Sequence, residues 1–292
     1  MKIVSVILTL MLGASLADGV NKNLERKNLV AWCIVPFDAK KRTPNERAKM
    51  LKELGIGRGA YDWRSEHVAE FEEEILQYKK HGIEYFAFWG GHESAFALFE
   101  KHGLHPQIWR TAPSPKNGTQ EEKLAAAVAS MESLAKRTSE IGCKLGLYNH
   151  GGWGGEPGNL VAVCKGLRAL GFKNVGIVYN WHHGHGAIDS WKESLALMKP
   201  FLHCINLNGM NNGAKPKILP LAQGKHDLEM LEVLVSSGYD GPVGILDHQN
   251  RLDSKIALSD NLEGLGWLKK ELVTPGSGGP KPKPAQFSEG GQ

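Results

Sequence analysis

Three short segments hold most of the residues in this chain that are able to do chemistry. Asn149-His150-Gly151-Gly152-Trp153, Asn180-Trp181-His182-His183-Gly184-His185 and Asp247-His248-Gln249-Asn250 contain five of its 12 histidines. Imidazole titrates closest to neutral pH of the common side chains, so histidines gathered in one place suit general acid and base transfer. A divalent metal held at a non-standard site by His182, His183, His185, Asp247 or His248 would use the same residues. Spacing alone does not choose between these chemistries. A single loop histidine more often caps or meets solvent than reacts. At least one histidine of the 182–185 run is therefore expected only to bond loop carbonyls.

Amides and indoles stand near these histidines in the sequence or at comparable positions: Asn149, Asn180, Asn206 and Asn208, with Trp89, Trp153 and Trp181. Indole faces suit the C–H surfaces of a sugar ring and amides suit its hydroxyls, so the set reads as a pocket for a small carbohydrate.

Something must bring these segments together, and the pattern between them supplies it. Short β-rich runs at 29–36, 57–62, 84–89, 107–110, 144–149, 175–180, 203–207 and 243–247 alternate with segments of helical period. The helical segments are 44–54, 67–81, 94–102, 120–141, 159–170, 188–198, 227–236 and 255–272. Glycines at 55, 82, 103, 142, 171 and 238 stand where a left-handed cap would turn a helix into the next strand. Eight such pairs in about 250 residues predict an α/β fold, a single (β/α)8 TIM barrel over 29–272. An open doubly wound sheet fits less well, because no G-x-G-x-x-G opens the first helix. Reactive groups of a barrel collect where strands end, and the three histidine segments follow the fifth, sixth and eighth strands. Trp89 ends the third, and Asn206 and Asn208 leave the seventh.

The remaining features narrow the function classes. With 35 Lys+Arg against 31 Asp+Glu, a formal charge of +4 leaves no excess to hold a polyanion, which excludes nucleic acid as a partner. Cys33, Cys143, Cys164 and Cys204 lie far apart without a C-x-x-C pair, so neither a disulfide scaffold nor a zinc ribbon is indicated. Lys2, the apolar run 3–12, and Ser15 and Ala17 form the pattern of a signal peptide over 1–17, which makes the protein periplasmic or secreted. That run is too short to span a bilayer, so no membrane contact is expected after cleavage. At the other end, residues 274–292 place four prolines among glycines and are expected to form a flexible tail.

The order of these motifs resembles the xylose-isomerase-like TIM barrel superfamily, which includes sugar phosphate isomerases and epimerases. The resemblance runs from Leu29 to Leu272. It is carried by Leu147-Tyr148-Asn149-His150, by 176–183, and by Gly238-Tyr239-Asp240-Gly241-Pro242. It implies a sugar substrate and, in many members, a divalent ion held by Glu, Asp, His and Glu on strands five to eight. In this chain those positions fall on Tyr148, Asn180, Asn206 and Leu246, so the family's ligands are replaced. His150 and His183 match positions that contact substrate in the family.

Together these readings predict an exported carbohydrate-active enzyme that transfers protons next to a sugar carbonyl: an isomerase or epimerase, or a keto-sugar lyase or hydratase. His150, His183 and Asp247 are its expected catalytic groups. Trp89, Asn149, Trp153, Asn180, Trp181, His182, Asn206, Asn208 and His248 are expected to bind substrate. The alternative is a sugar-binding barrel without catalysis. If the leader is cleaved after Ala17, mass spectrometry of protein from its native host finds an N-terminus at Asp18, and an intact Met1 in a soluble cytosolic fraction rejects export.

Overall fold

A computed structural model of the chain describes residues 22–246, 248–249 and 251–285. The expected leader, Asp247 and Asn250 lie outside the described residues. Eight strands alternate with eight helices: β1 (Leu29–Trp32), α1 (Pro44–Leu54), β2 (Arg58–Tyr61), α2 (Phe71–His81), β3 (Glu84–Trp89), α3 (Glu93–His102), β4 (Gln107–Thr111), α4 (Gln120–Glu140), β5 (Lys144–Tyr148), α5 (Pro157–Ala169), β6 (Val175–Asn180), α6 (Trp191–Met198), β7 (Leu202–Leu207), α7 (Asp227–Ser236), β8 (Val243–Leu246) and α8 (Ser254–Val273). The strands pair in parallel and in chain order. β8 returns to β1 in register from Leu29↔Val243 to Trp32↔Leu246, closing the barrel.

Local chemistry sets the element ends. Thr43 and Glu46 form a capping box at α1, with the Glu46 carboxylate accepting from Thr43 N at 2.9 Å, and Thr119 with Glu122 repeats it at α4, at 2.7 Å. The six expected cap glycines all have φ between 63° and 102°, a region that other residues enter at a steric cost. The first strand stops at Trp32, earlier than its apolar run suggests, because Cys33 adopts φ 61° and turns the chain out of the sheet. The expected helix 67–81 is divided, with a 3-10 turn over Ser65–Glu70 preceding α2.

Two layers of core follow from strand alternation. Inside the barrel, Val30, Trp32, Ala60, Trp109, Tyr148, Val178 and Cys204 pack together, while Leu145, Ile177, Ile205 and Ile245 face outward against the helices. All four cysteines are buried, and burial pushes the Cys143 thiol up to about 12. A hollow of about 460 Å³ lined by Tyr85, Gln107 and Lys144 sits at the N-terminal ends of β3, β4 and β5, the face of a barrel that carries stability.

From 274 to 285 the chain runs back along α8 and is held there. The Glu271 carboxylate accepts from Gly276 N and Gly278 N at 2.8 and 2.7 Å, Trp267 Nε1 donates to Gly279 O at 3.1 Å, and Gln223 Nε2 donates to Pro282 O at 2.7 Å. Glycine and proline there lack apolar side chains, but their backbone groups find partners on the helix. Residues 286–292 lie outside the described residues. No described helix is long and apolar enough to cross a membrane.

One ion pair is enclosed between α1 and α2. Arg47 Nη1 bonds Glu74 Oε2, its Nη2 donates to Arg42 O at 2.7 Å, and both charged side chains are almost wholly removed from solvent. Arg42 in turn bridges Asp38 at 2.9 Å and Asp253 at 2.6 Å, linking the β1 exit to the start of α8 across the closing seam. Glu74→Gln strands a buried guanidinium and should lower stability by about 3–5 kcal/mol, whereas replacing both partners with apolar residues should cost much less. Urea unfolding of the two variants checks this, and a Glu74→Gln loss below about 1 kcal/mol contradicts it.

Candidate functional site

The C-terminal mouth of the barrel is built on Tyr148. This residue ends β5, points inward, and accepts two hydrogen bonds at its hydroxyl, one from Trp32 Nε1 at 2.9 Å and one from Asn180 Nδ2. Asn180 is thereby fixed, and its Oδ1 accepts from His182 N at 3.1 Å, starting the tight turn that carries Trp181, His182 and His183. Asn149 braces the same turn from β5, donating to Asn180 O at 3.0 Å and accepting from Asn180 N at 2.7 Å.

Above this floor the imidazoles converge. The rings of His150 and His183 have centroids 4.4 Å apart, those of His183 and His182 4.3 Å, and those of His182 and His248 5.1 Å. Tyr148 lies edge-on to His183 at 5.8 Å, and the Trp89 ring stands 6.4 Å from His150. Phe37, from the β1 exit, packs against His248 at 3.9 Å and carries the Arg64 guanidinium over its other side.

Burial sets the protonation state of this cluster. It lowers His182 to about 2, His183 to about 3 and His248 to about 4, with neighbouring imidazoles and the Lys217 ammonium adding to the effect. Exposed His150 is also lowered, by partial burial first and Lys217 second. At neutral pH these rings are uncharged, so each offers one lone pair and one N–H. Asp62, just past β2, is driven the other way: full burial raises its carboxyl to about 7, while Val35 N donates to its Oδ1 at 3.2 Å. Four polar atoms of the mouth are buried with no hydrogen-bond partner among the described residues: Asp62 Oδ2, His182 Nδ1, Asn206 Nδ2 and Asn208 Oδ1. Such groups are rare unless water or a ligand completes them.

Several expected site residues sit elsewhere. Trp181 is fully buried outside the barrel, edge-on to Trp191 at 5.7 Å, because strand parity turns it away once Asn180 faces in. It is a core residue. Trp153 packs toward α4, its Nε1 donating to Gln120 Oε1 at 2.8 Å. Asn149 has both side-chain ends committed to the Asn180 backbone and braces the floor. His185 places Nδ1 2.7 Å from Asn211 O and Nε2 3.0 Å from Lys217 O, so loop carbonyls occupy both nitrogens. Trp89, His150, His182, His183, Asn180, Asn206, Asn208 and His248 remain in or under the mouth. Asp247 lies outside the described residues.

The family's metal positions do not fit a divalent ion. Asn180 spends both amide ends on Tyr148 and His182 N, Asn206 Oδ1 lies 3.7 Å from Cys204 Sγ and almost touches the place a side chain at Gly244 would need, and Leu246 has no donor. Among the described residues no group of three His, Cys, Asp or Glu is arranged to hold a metal.

Phe37, Asp62 and Lys217 complete the mouth without having stood out in the sequence. The β1 exit carried no polar cluster to mark Phe37, and Lys217 belongs to a long loop without periodic signal. Asp62 did stand at a strand exit, the one cue available.

The molecule is thus a closed (β/α)8 barrel with a polar and aromatic mouth at the C-terminal ends of its strands. The chain belongs to the xylose isomerase-like TIM barrel family, whose model matches residues 16–271. No curated protein matches its sequence. Among solved structures, the IolI protein with a bound zinc atom is similar with a TM-score of 0.67 at 12% identity, over 85% of this chain and 99% of that one. The probable 3-DHS dehydratase AsbF of Bacillus anthracis, involved in petrobactin synthesis, gives 0.62 at 12% identity, over 82% and 98%. The apo 3-keto-D-glucoside 4-epimerase YcjR of E. coli gives 0.60 at 15% identity, over 83% and 98%. At such identities the likeness concerns the fold.

The lowered imidazoles couple the site to stability. His182 takes up its proton only far below its ordinary 6.5, so between those values the unfolded chain binds more protons than the folded one. Its contribution is present above pH 6.5 and is lost as pH falls. Each pH unit below 6.5 removes up to about 1.4 kcal/mol through this group. His182→Asn should therefore flatten the dependence of stability on pH between about 6.5 and 4.5, measured by denaturant unfolding at several pH values. An unchanged slope would show that His182 is not held neutral.

Proposed function

We propose that this chain is an exported enzyme that moves a proton at the carbon beside a sugar carbonyl, by isomerisation, epimerisation, or elimination and hydration of a keto-sugar. The observation that carries this reading is the pair of neutral rings, His150 and His183, 4.4 Å apart and both beside the Tyr148 ring, at 6.3 and 5.8 Å. A neutral imidazole of this pair takes the C–H proton and becomes imidazolium, the C–H electron pair moves to the carbonyl, and the oxygen becomes an enediolate. Delivery of a proton to the other face gives the epimer; delivery to the former carbonyl carbon gives the isomer, the hydroxyl proton of the reacting carbon passing to the enediolate oxygen as the new carbonyl forms, with no further reactant.

The developing oxyanion needs a donor, and Tyr148 supplies one. A hydroxyl has two lone pairs and one hydrogen. Trp32 and Asn180 occupy the lone pairs, which leaves the O–H to donate. Burial raises the Tyr148 pKa, so it keeps that proton. Asn206 Nδ2 and His182 Nδ1 are the buried polar atoms next available to sugar hydroxyls, and Trp89 offers a half-buried aromatic face. The name of the YcjR neighbour, 3-keto-D-glucoside 4-epimerase, describes a change at the carbon next to a ketone, which accords with this chemistry. The expected leader over 1–17 is the basis for export. A second reading, a sugar-binding barrel without turnover, draws on the four replaced metal positions.

A screen of keto-sugars and glycosides with the purified mature protein separates the two. His150→Gln and His183→Gln should each lower turnover about 100-fold or more while changing binding less, and Tyr148→Phe should fall comparably through loss of one oxyanion donor. Activity should persist below pH 6.5, because the base is lowered from its ordinary value, and should survive exhaustive chelation. Near-wild-type turnover in both histidine variants would sink the assignment. Sugar binding without any turnover would leave the second reading.

A further inference from the structure

Beside the mouth an open cleft of about 960 Å³ runs outward between the β3 exit, the β4 exit and α4. Trp89 and His150 line its inner end, so it is continuous with the histidine cluster. Ser114 and the Gly151–Gly152 loop form one wall, and Ser130 and Ser133 of α4 form another. The Ser114 wall is rigid: its Oγ accepts from Gly154 N at 2.8 Å and donates to Gly151 O at 3.3 Å. A side chain at Gly152, φ 65°, would start 2.9 Å from that Oγ, so glycine there is what brings the loop close and keeps the cleft clear.

Arg110 stands in this cleft without a partner. It is exposed, its guanidinium lies over Gly90, and no described residue gives it a hydrogen bond or ion pair. Elsewhere on the surface Arg58 pairs with Glu84 and Arg137 with Glu93 and Glu100, while Arg26, like Arg110, has no such partner among the described residues but lies in no cleft with a histidine. The lining contains no carboxylate at all. A planar fork of donors with no acceptor of its own, set in a polar cleft that opens onto a sugar pocket, matches an anionic oxygen group on the ligand.

We propose that the cleft is a second subsite that receives an anionic group of the substrate through Arg110, so that the substrate is an acidic carbohydrate whose reacting carbon lies at His150 and His183. The proposal rests on the reading of the mouth as a sugar site, and it adds the charge of the ligand and the direction in which it lies. Carboxylate and phosphate share the required chemistry.

Binding to the full chain, read by tryptophan fluorescence and calorimetry, decides it. The probes are D-glucuronate, D-glucose 6-phosphate and D-glucose, on wild type, Arg110→Gln and Ser133→Trp. The expected result is at least one acidic probe binding about ten-fold tighter than glucose. Which acid is preferred tells carboxylate from phosphate. Arg110→Gln should bring the acid-to-glucose ratio close to one. Ser133→Trp, on an exposed helix face, should lower the ratio by filling the cleft with Arg110 intact. Equal binding of acids and glucose, a preference that survives Arg110→Gln, or no binding of any probe would overturn the proposal. Failure of the histidine variants to lose turnover would leave an acid preference intact, so this test and that of the catalytic reading fail separately.

Discussion

The Tyr148 hydroxyl is the point on which the mouth is assembled. Trp32 reaches it from β1 and Asn180 from β6, so three strands are joined at one buried oxygen. The orientation of Asn180 then decides where its Oδ1 lies, that oxygen holds His182 N, and the short turn that follows sets down His182 and His183 side by side. A buried hydroxyl left without donors would cost more than the bonds are worth when made, which is why the arrangement is specific as well as stable. The same residue explains the changed metal positions. A ring of inward carboxylates is stable only around a cation, whereas Tyr148, two asparagines and Leu246 form a neutral floor in which Tyr148 and Asn180 satisfy one another and Asn206 Nδ2 stays open.

That neutral floor governs the imidazoles above it. With no anion beside them among the described residues, His182, His183 and His248 feel burial and neighbouring positive groups, and both effects act against the charged form. The cluster is thus a reservoir of uncharged bases, held at a cost that appears when the pH falls. Lys217, exposed at the rim, deepens the effect. Asp62 is the counterpart: buried near the floor at the β2 exit, it is lifted toward neutrality from the other direction. Groups of opposite type moved to unusual values within one cleft are a mark of reactive sites.

Much of the fold was legible because it depends on local signals. The 3.6-residue period placed α1 and α7 at their observed ends, and β-rich runs bounded by glycine placed β3 and β6. What failed depended on contacts distant in sequence. Trp181 looked like a sugar platform because it sits between Asn180 and His182, but strand parity sends it into the outer core. That one histidine of the 182–185 run would face loop carbonyls was legible, but that it is His185 depends on Asn211 O and Lys217 O, some thirty residues on. Arg110 ended the strand with the weakest pattern, so nothing marked it as a lining residue.

The shared position of His150 gives the site its direction. It belongs to the histidine cluster through His183 and to the outer cleft through Trp89 and Gly151, so a ligand spanning both must pass under this one ring. The barrel strands fix the floor, and the β4 and β5 exits fix the cleft through Ser114. Chemistry and recognition therefore rest on different parts of the chain. Under the proposed reading, changes in the β4–α4 loop would alter which ligand is held without moving Tyr148, and changes on the floor would alter reactivity without moving Arg110. This separation is what the strand and loop division of a closed barrel makes available. In this chain the two parts meet at Trp89 and His150.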